Sequence, residues 1–572
     1  MPGSARRYVI DDTVDAFLRV GLPFTLSGAR ARAHVARSRA LAQATRDDPL
    51  RAVQLDASRL MALAQLHTSD ADAEQARADA LALRARAERL GDPARGHALL
   101  AWAFLHPAPE YAQERARLAR EVLDIAARHD AADLVTPASA LLLGALLELG
   151  KIRELDAELV EARLLDGTAH ADPRNPVAWF HCLRAILDGD TATAEALAEE
   201  LYAAADEHSP DALALYATQL GLVRWMQGRR DGVEEAMLAA RRENPDVVFW
   251  TVSLAWLWMH QGRTTSAEQL LRTVPELRAL PRDRYWLATV AVLAEIAVFT
   301  GSARRVEELR TLLLPFADHL VAFGSGVAFG GTVALTLGLL EERLGLLEEA
   351  RAHLELAVEM SMRVGAIAWH AEAQIELADF ALRHDLADVA AHELIAEARA
   401  TCEARGFAGL ALRAMHRPRV RVLGVFEVIS VCGTRAEWNS RKARELLKRL
   451  VAARGAAISR EVLMDALWPG ESPARLGNRF SVAINVVRRA LDPQRIMPTQ
   501  RFVVTDAESV RLDLDNVDVD IERFLSLARR GDDASREVAR RLYRGEAFSD
   551  EPYADWAHAL REEAAYLHRS LG

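Results

Sequence analysis

A chain of 572 residues with 51% hydrophobic and 27% charged side chains can bury several cores, which excludes an extended disordered or collagen-like protein. The net charge of −11 is unevenly placed: residues 417–515 hold 18 Lys and Arg against 11 Asp and Glu, a net of +7, which leaves −18 for the rest. Three scattered cysteines, Cys182, Cys402 and Cys432, point neither to a disulfide framework nor to a metal site, and Met1 to Ile10 lacks a signal peptide's apolar core, so a reducing cytoplasm is expected.

Residues 1–140 read as amphipathic helices, for example Gln75 to Leu90 and Glu114 to Ala127, without a clear repeat, and are expected to open a longer array. From 141 to 412 helix follows helix, and strand-like alternation is scarce. Gly150, Gly189, Gly228, Gly262, Gly301 and Gly345 stand 39, 39, 34, 39 and 44 residues apart, a period that signals stacked helix pairs. Gly338, Gly345, Ala350, Leu354 and Ala357 follow at intervals of 7, 5, 4 and 3. Small residues there let paired helices approach, a glycine turns the chain and a leucine fills the gap. Other units carry Gly221, Gly228, Ala240 and Pro245, then Ala255, Gly262, Ala267 and Leu271, and more weakly Ala378, Ala390 and Leu394. These units resemble tetratricopeptide repeats, and the resemblance implies a superhelix whose groove holds an unknown protein or ligand. Trp225, Trp250, Trp256, Trp258 and Trp286 crowd into adjacent units, where aromatics at helical spacing are expected to fill the core rather than line the groove.

Leu320 to Leu340 carries no charge over 21 residues, long enough to cross a bilayer. Five glycines with Ser325, Thr332 and Thr336 keep its hydrophobicity modest, and no basic cluster sets an orientation, so no membrane span is expected.

His416, Arg417 and Pro418 interrupt the helical pattern, and Arg419 to Val428 alternates charged and apolar residues as a strand does. Ser440 can cap a helix from Arg441 to Ala453, and Ser459 a second one ending at Trp468. Pro469 and Gly470 break the pattern before a third helix, Pro473 to Leu491, preceded by Ser472. Phe480, Ile484, Val487 and Leu491 form its apolar face, while Arg475, Asn478, Arg479, Ser481 and Asn485 fall on other faces. Phe502 to Val504 and Val510 to Leu514 flank the polar turn Thr505 to Ser509 as a hairpin.

These residues, with Leu423-Gly424, Phe426-Glu427-Val428, Leu463 to Trp468, Asn478 to Leu491, Val517 to Asp520, Leu542 to Glu546 and Tyr553 to Trp556, resemble the SARP-type transcriptional regulators. In those an OmpR-like winged helix precedes a bacterial transcriptional activation domain. The resemblance implies a winged-helix DNA-binding domain over 417–515 and a partial activation domain over 516–572. It also implies that the third helix enters the major groove of promoter DNA with Asn478, Arg479, Val482 and Asn485 nearest the bases. Arg475, Ser481 and Arg489 complete the expected DNA contacts, Arg488 and Trp468 would meet the phosphates, and Pro469, Gly470, Glu471 and Ser472 would face RNA polymerase. Ala483 and Val486 make the helix less basic than is usual in the family.

No phosphate loop, zinc pair or nucleophile elbow occurs, so neither an enzyme nor a cofactor is expected. The sequence reads as a mainly α protein, a tetratricopeptide-like superhelix followed by a winged helix and a partial helical activation domain, acting as a DNA-binding regulator. The alternative is a repeat scaffold whose winged helix no longer binds DNA.

Overall fold

The computed structural model describes residues 12–14, 16–17, 28–45, 47–66, 70–165, 176–205, 210–261, 263–300, 303–324, 326, 328–384, 388–413, 417–431, 433–471, 473–495, 497–514, 516–530 and 533–571. The chain divides into two compact units, Met1–Leu377 with Ala400–Leu410, and Ala378–Arg399 with Ala411–Gly572.

The first unit is mainly helical, and most consecutive helices pack on one another from Gly28–Ala44 onward. The N-terminal stretch is built in this manner: Ala112–His129 covers the segment Glu114 to Ala127, and Asp70–Glu88 ends two residues before the expected Leu90. At the helix ends Gly150, Gly189, Gly228 and Gly345 have φ of 66°, 69°, 68° and 79°, a left-handed turn that side chains with a Cβ rarely adopt. Gly262 and Gly301 lie outside the described residues. The closest repeat match forms the pair Val333–Leu344 and Leu347–Val364, in which Ala350, Leu354 and Ala357 are completely buried. Of the tryptophans, Trp250 and Trp286 are buried, and Trp256 and Trp258 pack on the same core while their indole N–H groups donate to Glu295 and Glu234.

The uncharged segment is a hairpin followed by a helix. Leu320–Phe323 (β1) and Ala328–Thr332 (β2) pair as an antiparallel hairpin, and only then does the helix Val333–Leu344 begin. Both strands are buried on both faces, so their residues are apolar without alternating, and period-two patterning cannot reveal them. Gly326, at φ 89°, lies where a Cβ would come within 2.6 Å of the Gly144 Cα, so the hairpin seats directly on helix Ala132–Glu148. Among the described residues no helix is long and apolar enough to cross a membrane.

The largest apolar core of the second unit runs from Val420 to Leu571, beside a small separate cluster of Ala378, Leu382, Ala391 and Ile395. The stretch Arg419 to Val428, read as one strand, is two: Arg419–Arg421 (β3) and Glu427–Ile429 (β4) pair antiparallel around a turn at Gly424, whose φ is 96°. Asp518–Val519 (β8) joins β3 in parallel, with Val420 opposite Val519. Residues 516–572 are thereby stitched to 417–515. Phe548 N–H donates to Val422 O, Gly424 N–H to Glu546 O, and both Asp520 carboxylate oxygens accept from the N–H groups of Val422 and Leu423. Ala378–Arg399, read from the sequence as a weak repeat, falls in this unit, and Ala391 rather than Ala390 is its buried small residue. The reading there was one residue out of register on the helix, which turns the expected contact away by about 100°.

Candidate nucleic-acid interface

Between β4 and β8 three helices and a hairpin follow one another: Arg441–Ala452, Arg460–Leu467, Pro473–Leu491, then Val503–Thr505 (β6) and Ser509–Leu512 (β7). Ser440 caps the first helix, its hydroxyl accepting from Ala443 N–H at 3.2 Å. Ser459 makes no such cap and pairs instead with Ser509 as part of the strand Ile458–Ser459 (β5), which adds an edge to the hairpin. The hairpin strands lie one or two residues from their expected bounds. Its turn is closed by Asp506, which accepts from the Ser509 hydroxyl and from the N–H groups of Glu508 and Ser509, and these bonds hold its carboxyl below the usual range.

The third helix is held by Leu476, Phe480, Ala483, Ile484, Val487 and Leu491, all buried in the unit's core. At about 100° per residue, the stripe opposite that face is Asn478, Val482, Asn485 and Arg489. All four are exposed, Val482 at 56%. Arg479 lies to one side, its Nη1 2.6 Å from Glu471 Oε2 and its guanidinium 5.6 Å from the centre of the Trp468 ring. Trp468 itself is half-buried and packs on the core. Ser481 returns its hydroxyl to Gly477 O at 2.8 Å.

Arg488 falls on the other side of the helix and points into the hairpin. Its Nη2 donates to Val503 O at 2.9 Å, Thr505 Oγ1 at 3.0 Å and Gln500 Oε1 at 3.1 Å, and burial lowers its pKa. It is therefore a strut between helix and hairpin, engaged within the fold at the position where the resemblance implies a phosphate contact. Exposed and without an ion pair among the described residues are Arg489, Arg501 on the approach to the hairpin and Arg511 on β7, as are Arg441 and Arg495. Arg501 and Arg511 were not singled out in the sequence, where they look like any polar loop residues. Pro469, Gly470 and Glu471 form an exposed turn, while Ser472 and the Arg475 side chain lie outside the described residues.

Much of the positive charge of 417–515 is used inside the unit. Lys448, 1% exposed, sets its Nζ 2.6 Å from Asp550 and 3.1 Å from Glu551, with Arg444 2.8 Å from Asp550. Arg454 grips both oxygens of Glu522 at 2.6 and 2.7 Å and reaches Glu563. Lys442 and Arg449 pair with Glu445 on their own helix. On the first helix Arg444 and Lys448 are thus neutralised by acidic residues of the stretch after 515 while Arg441 stays exposed, so net charge overstates what is free to meet a polyanion.

In the repeat unit a cavity is lined by Gln65, Phe104, Arg115, Gly144, Glu148 and Arg284 among others. Arg115 donates to the carbonyls of His106 and Ala108 and to Glu148. Burial raises the Glu148 pKa against the pull of Arg115. Among the described residues no cluster of His, Cys, Asp and Glu is arranged to hold a metal. Cys182 and Cys402 are buried, which pushes their thiols up to about 12 and about 11, and Cys432 lies outside the described residues.

No family model and no curated protein matches the chain. Solved structures do. The crystal structure of the APC/C hetero-tetramer Cut9-Hcn1 is 15% identical, covers 67% of each chain and gives a TM-score of 0.42. Human IFIT1 dimers with PPP-AAAA and with m7Gppp-AAAA are 13% and 12% identical, cover 89% of this chain and 95% and 96% of theirs, and give 0.31 and 0.30.

Proposed function

We propose that the chain is a helical-repeat scaffold that carries a DNA-binding module, with the helix Pro473–Leu491 and the β6–β7 hairpin acting as the reader and wing of a winged helix. The observation that carries this reading is the stripe Asn478, Val482, Asn485 and Arg489, fully outside a helix whose other face is buried, with Arg501 and Arg511 unpaired nearby. Amides present a donor and an acceptor to base edges, and unpaired arginines on a helix end and a hairpin suit flanking phosphates. The resemblance to SARP-type regulators implies that the bound DNA is a promoter, with RNA polymerase as a further partner, and that the repeats receive the signal. The cavity beside Arg115 and Glu148 is our candidate for a small-molecule signal, and the repeat groove for a protein one.

A second reading is a scaffold whose C-terminal unit makes only protein contacts. It is favoured by the engagement of Arg479 with Glu471 and of Arg488 with the hairpin, which removes two cations that DNA binding would use. Fluorescence anisotropy of the full chain with a pool of duplexes at several salt concentrations separates the two. DNA binding is expected to weaken steeply with salt, and Arg489→Ala to lower the slope of log affinity against log salt by about 0.9 for one lost phosphate contact. A correctly folded chain that binds no duplex at low salt would leave the scaffold reading.

A further inference from the structure

The chemistry left on the outer stripe of the helix Pro473–Leu491 is narrower than its sequence suggests. Guanine is most often read by an arginine that spans its O6 and N7. Of the arginines with described side chains on this helix, Arg479 is turned about 100° from Asn478, paired to Glu471 and laid over Trp468. Arg488 is spent on three acceptors of the hairpin. Arg489 lies on the stripe, yet in the last turn, where a reading helix leaves the bases for the backbone.

Among the described side chains, what remains toward the N-terminal and middle turns is Asn478, Val482 and Asn485, two amides with an aliphatic side chain between them. At 1.5 Å of rise per residue, Asn478 and Asn485 are separated by about 10 Å along the helix, close to three base-pair steps of about 3.4 Å. An asparagine spans the N7 acceptor and N6 amino donor of adenine. An exposed valine finds its complement in the 5-methyl group of thymine. Ser481, a further polar side chain of these turns, has its hydroxyl bound back to Gly477 O.

Resting on the DNA-binding reading above, we infer that this helix recognises an A·T core, with Asn478 and Asn485 on adenines and Val482 on a thymine methyl. Guanine recognition by Arg479 would first require breaking its pair with Glu471, and the stripe offers no acidic side chain for cytosine. Val482 is thus assigned a specificity role that its apolar character would ordinarily give to a core residue. At 56% exposure it supports no core of its own, so its truncation leaves the fold intact.

The test is selection of binding sites by the full chain from a random-sequence duplex pool, followed by anisotropy on the enriched duplex. The enriched core is expected to be A·T, and replacing its thymines singly with uracil should weaken binding about fourfold at one position, the effect of burying one methyl group. That thymine-to-uracil difference should shrink in Val482→Ala, while Asn478→Ala and Asn485→Ala each cost about tenfold or more at a single adenine. A G·C core whose binding is abolished by Arg475→Ala or Arg479→Ala overturns the assignment while leaving DNA binding intact. An enriched A·T core that is indifferent to uracil in the wild type removes Val482 from it. Failure to retain any duplex by the folded chain overturns the DNA reading itself, and the A·T assignment with it.

Discussion

Gly338 and Leu354 meet so closely across the helix pair Val333–Leu344 and Leu347–Val364 that a Cβ on Gly338 would lie 2.6 Å from the leucine Cγ. Ala350 O, at 3.2 Å from the same point, is backbone and cannot swing aside. Gly338→Ala gains about 1 kcal/mol of helix propensity but overpacks the interface by about 1–3 kcal/mol, so a net loss of stability is expected. Leu354→Ala alone should cost about 2–5 kcal/mol through its cavity. In the double variant the new methyl occupies part of that cavity, so the two losses should sum to less than their parts in denaturant unfolding. A neutral or stabilising Gly338→Ala would show that the helices do not approach as described.

Asp520 is pushed up to about 6, first because it is buried, against the opposing effect of the Val422 and Leu423 N–H groups that it accepts. Its folded pKa lies above the unfolded one, so between about pH 4 and 6 the folded unit holds the proton more tightly. This group's contribution to stability is then largest below pH 4 and falls as pH rises through 6, by up to roughly 3 kcal/mol. Wild type and Asp520→Asn should therefore differ in the slope of stability against pH in that window and run parallel above it. Superimposable slopes from pH 4 to 7 would contradict the burial of this carboxyl.

Arg488→Ala removes the donor that serves Val503 O and Thr505 Oγ1. A loss of about 1.5–3 kcal/mol, the scale of hydrogen bonds to a charged group, is expected to be local to the hairpin. Amide exchange at Val504 and Thr505 should quicken while that of the first helix, Arg441–Ala452, does not. Unchanged exchange at the hairpin, with a loss confined to DNA affinity, would restore Arg488 to the phosphate role that the sequence suggested.

Lys448 is nearly sealed from water with Asp550 and Glu551 as its partners, both from the stretch after residue 515. Lys448→Ala removes the buried partner but leaves Asp550 and Glu551 within reach of water, so a loss of about 1.5–3 kcal/mol, the scale of hydrogen bonds to a charged group, is expected. A chain that ends at Leu514 loses these partners together with β8 and the bonds from Gly424 and Phe548, so its residues 417–514 are expected to be cleaved rapidly in limited proteolysis. Resistance equal to that of the full chain would mean that 417–514 folds alone.

Where the third helix and the repeat pair Val333–Val364 lie was legible in the sequence, because local signals decide them. Pro473, the four apolar residues from Phe480 to Leu491, and small residues at intervals of 7, 5, 4 and 3 need no distant partner to be recognised. The β1–β2 hairpin was not legible. Both of its faces are buried, and nothing in a uniformly apolar, glycine-rich run distinguishes strand from helix. Nor could charge counting find the open cations. Lys448 and Arg454 read like Arg501 and Arg511 until the fold brings Asp550, Glu551, Glu522 and Glu563 to the first two from about 70 to 110 residues away. The sequence by itself determined the helices with strong local signals, such as Arg441–Ala452 and Pro473–Leu491, and the apolar face of each, since those follow from the 3.6-residue period and local capping. Only the tertiary structure decided which arginines of the candidate interface remain free, because an ion pair depends on the distance between groups in space, and separation along the chain carries no record of it.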